Sequence, residues 1–357
     1  MTVLKPKASC TWFLAIALLC VAQASGAQPS PAVPPPPGTP ADAAQPDAAQ
    51  GQAPGVVDWL ARMHMATRKH SYVGTFVVSV GGGSLSSARI WHACEGDAQI
   101  ERVEALSGPP RSTFRRNEQV LTFYPEARVV KSERRENLGI FPNVIKQPDS
   151  TIAQHYGLRR VGHGRVAGFD ADVMQVVPQD ELRFGYRIWT ERNTGLLMKL
   201  QTLDVDGRVV EQSAFSEVQL DAPIALKTLA QMMQSTAGYR VEQAELEPTT
   251  AAQEGWSLAH PVAGFRPAGC YRRLMKGTGS TPERVVQCTF TDGLASVSLF
   301  LEAYEPGRQD KEALFTLGAT NTLTRHLQID GDWWLTAVGE VPTATLEAFA
   351  QGLARTR

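Results

Sequence analysis

The chain has 357 residues, with 35 Lys and Arg against 36 Asp and Glu, a formal charge of −1 and 43% hydrophobic residues. That is enough apolar material to bury more than one sizeable core. From 55 to 220 there are 21 basic against 19 acidic side chains, and from 221 to 357 there are 12 against 15. Neither half carries the basic excess of a nucleic-acid binder.

Lys5 and Lys7 precede an apolar run from Trp12 to Val21, and small-residue cleavage options follow at Ala22-Gln-Ala24 and Ser25-Gly-Ala27. This layout predicts a signal peptide over 1–27, too short to span a bilayer. Cys20 follows Leu18-Leu19 and so lacks the small residue expected before a lipid-modified cysteine, which favours soluble export. Residues 28–54 hold nine prolines and no aromatic side chain, the composition of a disordered tether.

A first domain is predicted over 55–220. Val56, Trp59, Leu60, Met63 and Thr67 fall at helical spacing, giving an amphipathic helix over 56–69. From Tyr72 the period changes to two. Strands are expected at 72–80, 85–94, 99–107, 111–116, 119–124 and 128–133, then a less regular stretch over about 137–164, then strands again from Val166. Arg183 to Phe215 reads as three strands joined by Arg192-Asn-Thr-Gly195 and Asp204-Val-Asp-Gly207. Each strand carries one apolar and one mixed face, as in an antiparallel sheet packed on one side. A meander this long curls and leaves a concave side. Either the N-terminal helix fills that side, or part of it stays open to a lipid or an extended peptide.

Residues 221–255 read as a helix over Pro223–Gln234, capped by Asp221, and then a polar interdomain linker. A smaller α+β domain is expected over 256–357. It has strands near 256–260, 270–275, 284–290 and 294–304, a short helix at 310–317, a hairpin around Asp330-Gly331 and a final helix over Thr343–Ala354. If the strands around 276–282 pair as a hairpin, Cys270 stands opposite Cys288 and a disulfide is expected; the alternative is two free thiols. Cys94 is then the odd cysteine, read as a small packed side chain, with a reactive thiol as the other option.

The search for chemistry assigns no catalytic, cofactor-binding or metal-binding residue. The seven histidines form no metal-ligand spacing, and His64 and His70 are six apart on a helix. Gly162-His-Gly-Arg-Val-Ala-Gly168 has the wrong spacing for a dinucleotide loop and reads as a turn between strands. Neither Gly-x-Ser-x-Gly nor Ser-x-x-Lys occurs. Arg115-Arg116, Arg134-Arg135 and Arg159-Arg160 read as solvated faces, the alternative being contact with a phosphorylated glycolipid or an acidic peptide.

Several blocks in order along the chain carry a family resemblance. They are Tyr72-Val-Gly-Thr-Phe76, Ser107-Gly-Pro-Pro-Arg111 with Arg115-Arg-Asn117, Arg165-Val-Ala-Gly168, Phe184-Gly-Tyr-Arg-Ile-Trp189, Thr194-Gly-Leu-Leu-Met-Lys199 and Val210-Glu-Gln212. Nearer the C-terminus are Thr291 to Glu302 and Val338-Gly-Glu-Val-Pro342. Over about 56–354 the chain resembles the sigma-E factor regulatory protein family RseB/MucB. The resemblance implies a non-enzymatic periplasmic negative regulator of the envelope stress response. Such a protein binds the periplasmic domain of a transmembrane anti-sigma factor of the RseA/MucA type, shields it from site-1 proteolysis and is released by lipid or lipopolysaccharide. It also implies an α+β fold whose first domain is an open half β-barrel of the LolA/LolB type wrapped around helices. A periplasmic lipid or lipoprotein carrier of that type is the alternative function, and self-association stays open. From strand alternation, Phe76, Val78, Phe123, Tyr186, Ile188, Met198 and Leu200 are the candidate lipid-facing side chains.

Overall fold

Period-two alternation governs most of the folded chain. The computed structural model describes residues 55–356 except 82, 97, 135–149, 244–245, 276–282 and 310. The signal peptide, the tether, the 276–282 loop and the Arg134-Arg135 side chains lie outside the described residues.

Helix α1 (Val56–Lys69) buries Val56, Trp59, Leu60 and Met63, spaced as an apolar stripe requires, and places Arg68 and Lys69 in its last turn, where cations suit the helix dipole. Then come β1 (Tyr72–Val80), β2 (Leu85–Glu95), β3 (Ala98–Ala105), β4 (Ser112–Arg116), β5 (Gln119–Tyr124) and β6 (Val129–Arg134). The first sheet continues with β7 (Tyr156–Val166), β8 (Phe169–Pro178), β9 (Gly185–Glu191), β10 (Leu197–Leu203) and β11 (Val209–Leu220). Helix α2 (Leu226–Gln234) and β12 (Arg240–Gln243) complete it.

The twelve strands run in the order β12-β6-β5-β4-β3-β2-β1-β11-β10-β9-β8-β7. All pair antiparallel except β12 on β6, and β1 closes onto β11 to join the two meanders. β7 and β12 are the two free edges, so the sheet is open rather than a closed barrel. The β9–β10 turn is built around Glu191, whose carboxylate accepts the backbone N–H groups of Asn193 and Thr194 at 3.0 and 2.6 Å. Burial opposes its charge, but those donors hold its pKa below the usual carboxylate value.

The second sheet is formed by β13 (Leu246–Thr249), β15 (Arg266–Met275), β16 (Glu283–Thr291), β17 (Ser296–Ala303), β18 (Ala313–Leu317), β19 (Thr320–Gln328) and β20 (Asp332–Gly339). Its order is β13-β15-β16-β17-β20-β19-β18. Between β13 and β15 lies β14 (Trp256–Leu258), which pairs with β21 (Leu353–Arg355) after helix α3 (Thr343–Gly352). Phe349 of α3 packs against Phe265 and Phe290, with ring centroids 5.5 and 5.0 Å apart. The β15–β16 register sets Cys270 opposite Cys288, and the two are joined as a disulfide. The two sheets together make one compact unit.

Five expectations need correction. Residues 313–317 form edge strand β18 rather than a helix, because a short apolar run fits either period and pairing with β19 decides it. Asp221 does not cap α2, which starts at Leu226 behind Ala225; it sits at φ 50° and its carboxylate bonds the His70 ring at 2.9 Å. The stretch expected to be irregular over 137–164 contains most of β7. Within 162–168 only Ala167 and Gly168 turn, both at positive φ, while Gly162–Val166 continue the strand after a bulge. The polar stretch 235–255, expected as a linker, places β12 in the first sheet and β13 in the second.

Candidate functional site

Strand parity decides which side chains face α1. Tyr72, Gly74, Phe76 and Val78 of β1 share a face, and register carries that face to Phe215 and Ser213 on β11, Leu200 on β10, and Ile188 and Tyr186 on β9. Phe76, Tyr186, Ile188 and Met198 join Trp59, Leu60 and Met63 in one buried core, with Val78 and Leu200 packed at its margin. Gly74 is required by that packing, since a Cβ there would meet the Phe215 ring at 2.6 Å.

Phe123 belongs elsewhere. The β3–β6 register puts Phe114, Leu121, Phe123 and Val130 on the opposite face of the sheet, beneath Leu229 and Met233 of α2. There Phe123 meets Phe114 and Tyr239 edge-on, both with centroids 5.4 Å away. The face that carries apolar residues switches along β2, where Ile90 faces α1 and Ala93 faces α2. A sequence reading that follows one face across the whole meander therefore misplaces Phe123.

Helix α1 packs into the concave face. Between it and the sheet lies a cavity of about 10 Å³, room for roughly one water. It is lined by Leu60 and Met63 of α1, by Tyr186, Ile188 and Leu200 of the sheet, and by Leu294. Leu294 comes from the turn between β16 and β17, so the second half of the chain plugs the concavity of the first.

That turn is held by a buried polar cluster between the halves. Asp292 and Arg183 are both fully shielded from solvent, and Arg183 Nε donates to Asp292 Oδ2 at 2.8 Å. Tyr156 Oη donates to the same oxygen at 2.9 Å, and burial pushes the Tyr156 phenol well above its usual pKa, keeping it a donor. Asp292 Oδ1 accepts the backbone N–H groups of Leu294 and Ala295 at 2.9 and 2.7 Å. The Arg183 guanidinium also pairs with Asp180, donates to the Ala263 carbonyl at 2.5 Å and lies 5.1 Å over the Phe265 ring. Every charge in the cluster has partners, as burial demands. Gly264 and Gly293 take positive φ beside it. A Cβ on the first would meet His155 Nε2 at 2.5 Å, and on the second Ile152 Cγ1 at 2.8 Å. Around the rim, Thr345 Oγ1 donates to Leu182 O at 2.7 Å and Ala319 N donates to Glu211 Oε2 at 3.1 Å.

Sequence reasoning put Arg183 on a mixed strand face and named Asp292 only within the Thr291 to Glu302 block; the structure sets them in the β8–β9 and β16–β17 turns. No local signal separates these two from the many other Arg and Asp residues, because their partners lie 109 residues apart. Among the described residues no group of three His, Cys, Asp or Glu side chains could hold a metal ion. No helix among them is long and apolar enough to cross a membrane.

Comparison with known proteins gives a consistent picture. Residues 55–233 match the family model of the MucB/RseB N-terminal domain, and residues 250–354 match that of the MucB/RseB C-terminal domain. The chain is 33% identical over 307 residues to the sigma factor AlgU regulatory protein MucB of Pseudomonas aeruginosa, covering 84% of this chain and 90% of that one. It is 23% identical over 303 residues to the sigma-E factor regulatory protein RseB of Escherichia coli K12, covering 82% and 89%. The crystal structure of MucB in complex with MucA(peri) superposes with a TM-score of 0.65 at 30% identity, covering 84% of this chain and 98% of that one.

Proposed function

The chain belongs to the MucB/RseB family, and from that premise we propose that it is a periplasmic negative regulator of a sigma-E-type envelope stress response. It binds the periplasmic domain of a transmembrane anti-sigma factor and protects that domain from site-1 proteolysis. Lipid or lipopolysaccharide releases it. The observation that carries the first step is the agreement, over almost the whole of the partner-bound MucB chain, with a structure solved on MucA(peri).

The physics of the release step follows from the occupied concavity. An acyl chain gains about 0.8 kcal/mol per buried methylene, yet a cavity of about 10 Å³ cannot take one. Lipid entry therefore requires α1 or the Leu294 turn to move. Because that turn is fixed through Asp292 to Tyr156 and Arg183, lipid binding works against the junction between the halves. A ligand shifts an equilibrium only by its preference for one state. Release on this reading requires lipid to prefer the form in which α1 or the Leu294 turn has moved, and the anti-sigma factor to prefer the other.

The test is a pull-down of residues 28–357 with the periplasmic segment of the anti-sigma factor from the same genome, with and without purified lipopolysaccharide. Near-stoichiometric capture that lipopolysaccharide abolishes supports the proposal. Failure to bind, with acyl chains co-purifying, transfers the chain to the carrier reading.

A further inference from the structure

On the side of the first sheet opposite α1, strand register lays two adjacent rows of side chains from β2 to β7. One row runs from Leu85 on β2 through Gln201 on β10 and Arg187 on β9 to Arg159 on β7. The row beside it runs from Ser87 on β2 through Lys199 on β10 and Trp189 on β9 to Gly162 on β7. Neither row contains an Asp or a Glu, although the whole chain has 36 acidic against 35 basic side chains. Together they hold the cations Arg159, Arg187 and Lys199. Helix α2 covers this side over β2–β6 and α1 takes the other side. Arg187, Trp189 and Lys199 are half-buried, and Arg159 is exposed.

Neutral groups hold these cations in place. Arg159 Nη2 donates to Gln175 Oε1 at 2.6 Å, and Arg187 Nη1 reaches Gln201 Oε1 at 3.4 Å. Lys199 Nζ lies 4.6 Å over the Trp189 ring. Arg187 Nε is shielded from solvent and has no hydrogen-bond partner. Among the described residues no carboxylate pairs with any of the three. Elsewhere the pattern is the reverse: Arg208 pairs with Asp204 and Arg272 with Glu254. Glu104, Glu191 and Glu217, which share the outer face beyond the two rows, are engaged. Glu104 pairs with Arg102, Glu191 is folded into its own turn, and Glu217 accepts from Thr75 Oγ1 at 2.9 Å.

Their spacing fits phosphate. Lys199 stands opposite Trp189, so Arg187 is its diagonal neighbour, about 7–8 Å away along the sheet. Arg159 is two strands from Arg187, about 10 Å. Burial, and then the Arg187 charge, lower the Lys199 pKa, as expected of a cation with a like neighbour and no counter-ion. A planar carboxylate is satisfied by one guanidinium fork, whereas Lys acts on phosphate as a point charge. Arg187 and Lys199 can therefore close on one tetrahedral anion from two sides, while Arg159 reaches a second. This is the convex side of the curled sheet and encloses no single small ion. A surface that presents many phosphates at once complements it. Leu85, at the end of the first row, is 66% exposed and suits the boundary between headgroups and acyl chains.

We propose that this outer face docks the protein on an anionic lipid surface, with Arg187 and Lys199 sharing one headgroup phosphate and Arg159 taking another. Docking needs neither the anti-sigma factor nor an acyl chain in the concavity, so it goes beyond the function proposed above. It also sets an orientation. The convex side meets the bilayer, and the concave side with its Leu294 turn is directed away from it.

The test sediments the whole chain, purified after export, with vesicles of phosphatidylcholine alone or mixed equally with phosphatidylglycerol. The chain should bind the mixed vesicles and not the neutral ones, and binding should weaken as salt rises. Arg159→Gln, Arg187→Gln and Lys199→Gln should each lower the partition coefficient about fivefold, the effect of one cation near such a surface. The triple variant should lower it about a hundredfold. Lys311→Gln makes the same charge change at an exposed position ahead of β18 and should leave binding unaltered. Circular dichroism checks folding, and the exposed Arg159 gives a variant that does not disturb packing. Equal losses at Lys311 and at the three face positions overturn the proposal, as does equal binding to neutral vesicles. Failure to bind the mixed vesicles also overturns it. In that case, calorimetric binding of inorganic phosphate or of a polyglutamate peptide, lost in the triple variant, would assign the face to that ligand instead.

Discussion

Arg183 and Asp292 form an ion pair at 2.8 Å in which neither side chain touches solvent, and they come from turns of different sheets, β8–β9 and β16–β17. A buried pair of this kind adds little net stability when intact, because desolvation offsets the attraction, but losing one partner strands a buried charge.

Asp292→Ala should accordingly destabilise the protein by about 3–5 kcal/mol. Tyr156→Phe, which removes only one hydrogen bond to the same carboxylate, should cost about 1.5–3 kcal/mol. Urea unfolding of the two single variants and the double variant measures the coupling. Strict additivity would show that the three groups do not act as one cluster.

Gly264→Ala combines backbone strain with a clash. Its φ of 79° costs a side-chain-bearing residue about 1–3 kcal/mol, and the added Cβ would press on Arg183 Nη2 and His155 Nε2. The unfolding midpoint should fall by at least the backbone amount, more than for Gly307→Ala, where φ is also positive but no atom lies within 4 Å.

Leu294→Ala enlarges the small cavity between α1 and the sheet. Leu294 is only half-buried, so the loss should be about 1–2 kcal/mol, below the range for a fully enclosed leucine. If the concavity admits acyl chains, the same variant should bind lipopolysaccharide more tightly. Phe123→Leu, beneath α2, should leave lipid binding unchanged. Equal effects at both positions would place the lipid elsewhere.

The pH dependence of stability near His92 has a definite sign. Its folded pKa of about 9 lies above the ordinary 6.5, so the folded chain holds the proton more tightly. The contribution is complete below about pH 6.5 and is lost as pH rises through about 9. The lowered pKa of Cys94 acts in the opposite sense, contributing above the ordinary thiol pKa and fading as pH falls through the folded value. Urea midpoints in that window should therefore fall more steeply with rising pH in Cys94→Ser than in His92→Gln. Parallel profiles would refute the opposed signs.

Removing the Cys270–Cys288 bond with a double serine substitution should cost about 3 kcal/mol for a loop of this size, with a sequence separation of 18 residues. Denaturation of the unaltered chain with and without reductant should reproduce the difference.

Periodicity by itself determined α1, nearly every strand from β1 to β6, the three strands from Gly185 to Leu220 and the α+β class, because each alternation is local and the turns, apart from Pro125–Arg128 between β5 and β6, carry their own glycine or asparagine. Alternation also placed Tyr186, Ile188 and Phe76 on one buried face. It failed at Phe123, since which face is covered changes along β2 and only the positions of α1 and α2 reveal it. It failed at β18 as well, where a five-residue apolar run takes its period from the partner strand. Tertiary structure alone decided that Arg183 meets Asp292, that Leu294 closes the concavity and that His92 meets Glu101. Those contacts depend on how sheets and helices stack, and polar residues that become partners only on folding carry no spacing that a linear reading can detect.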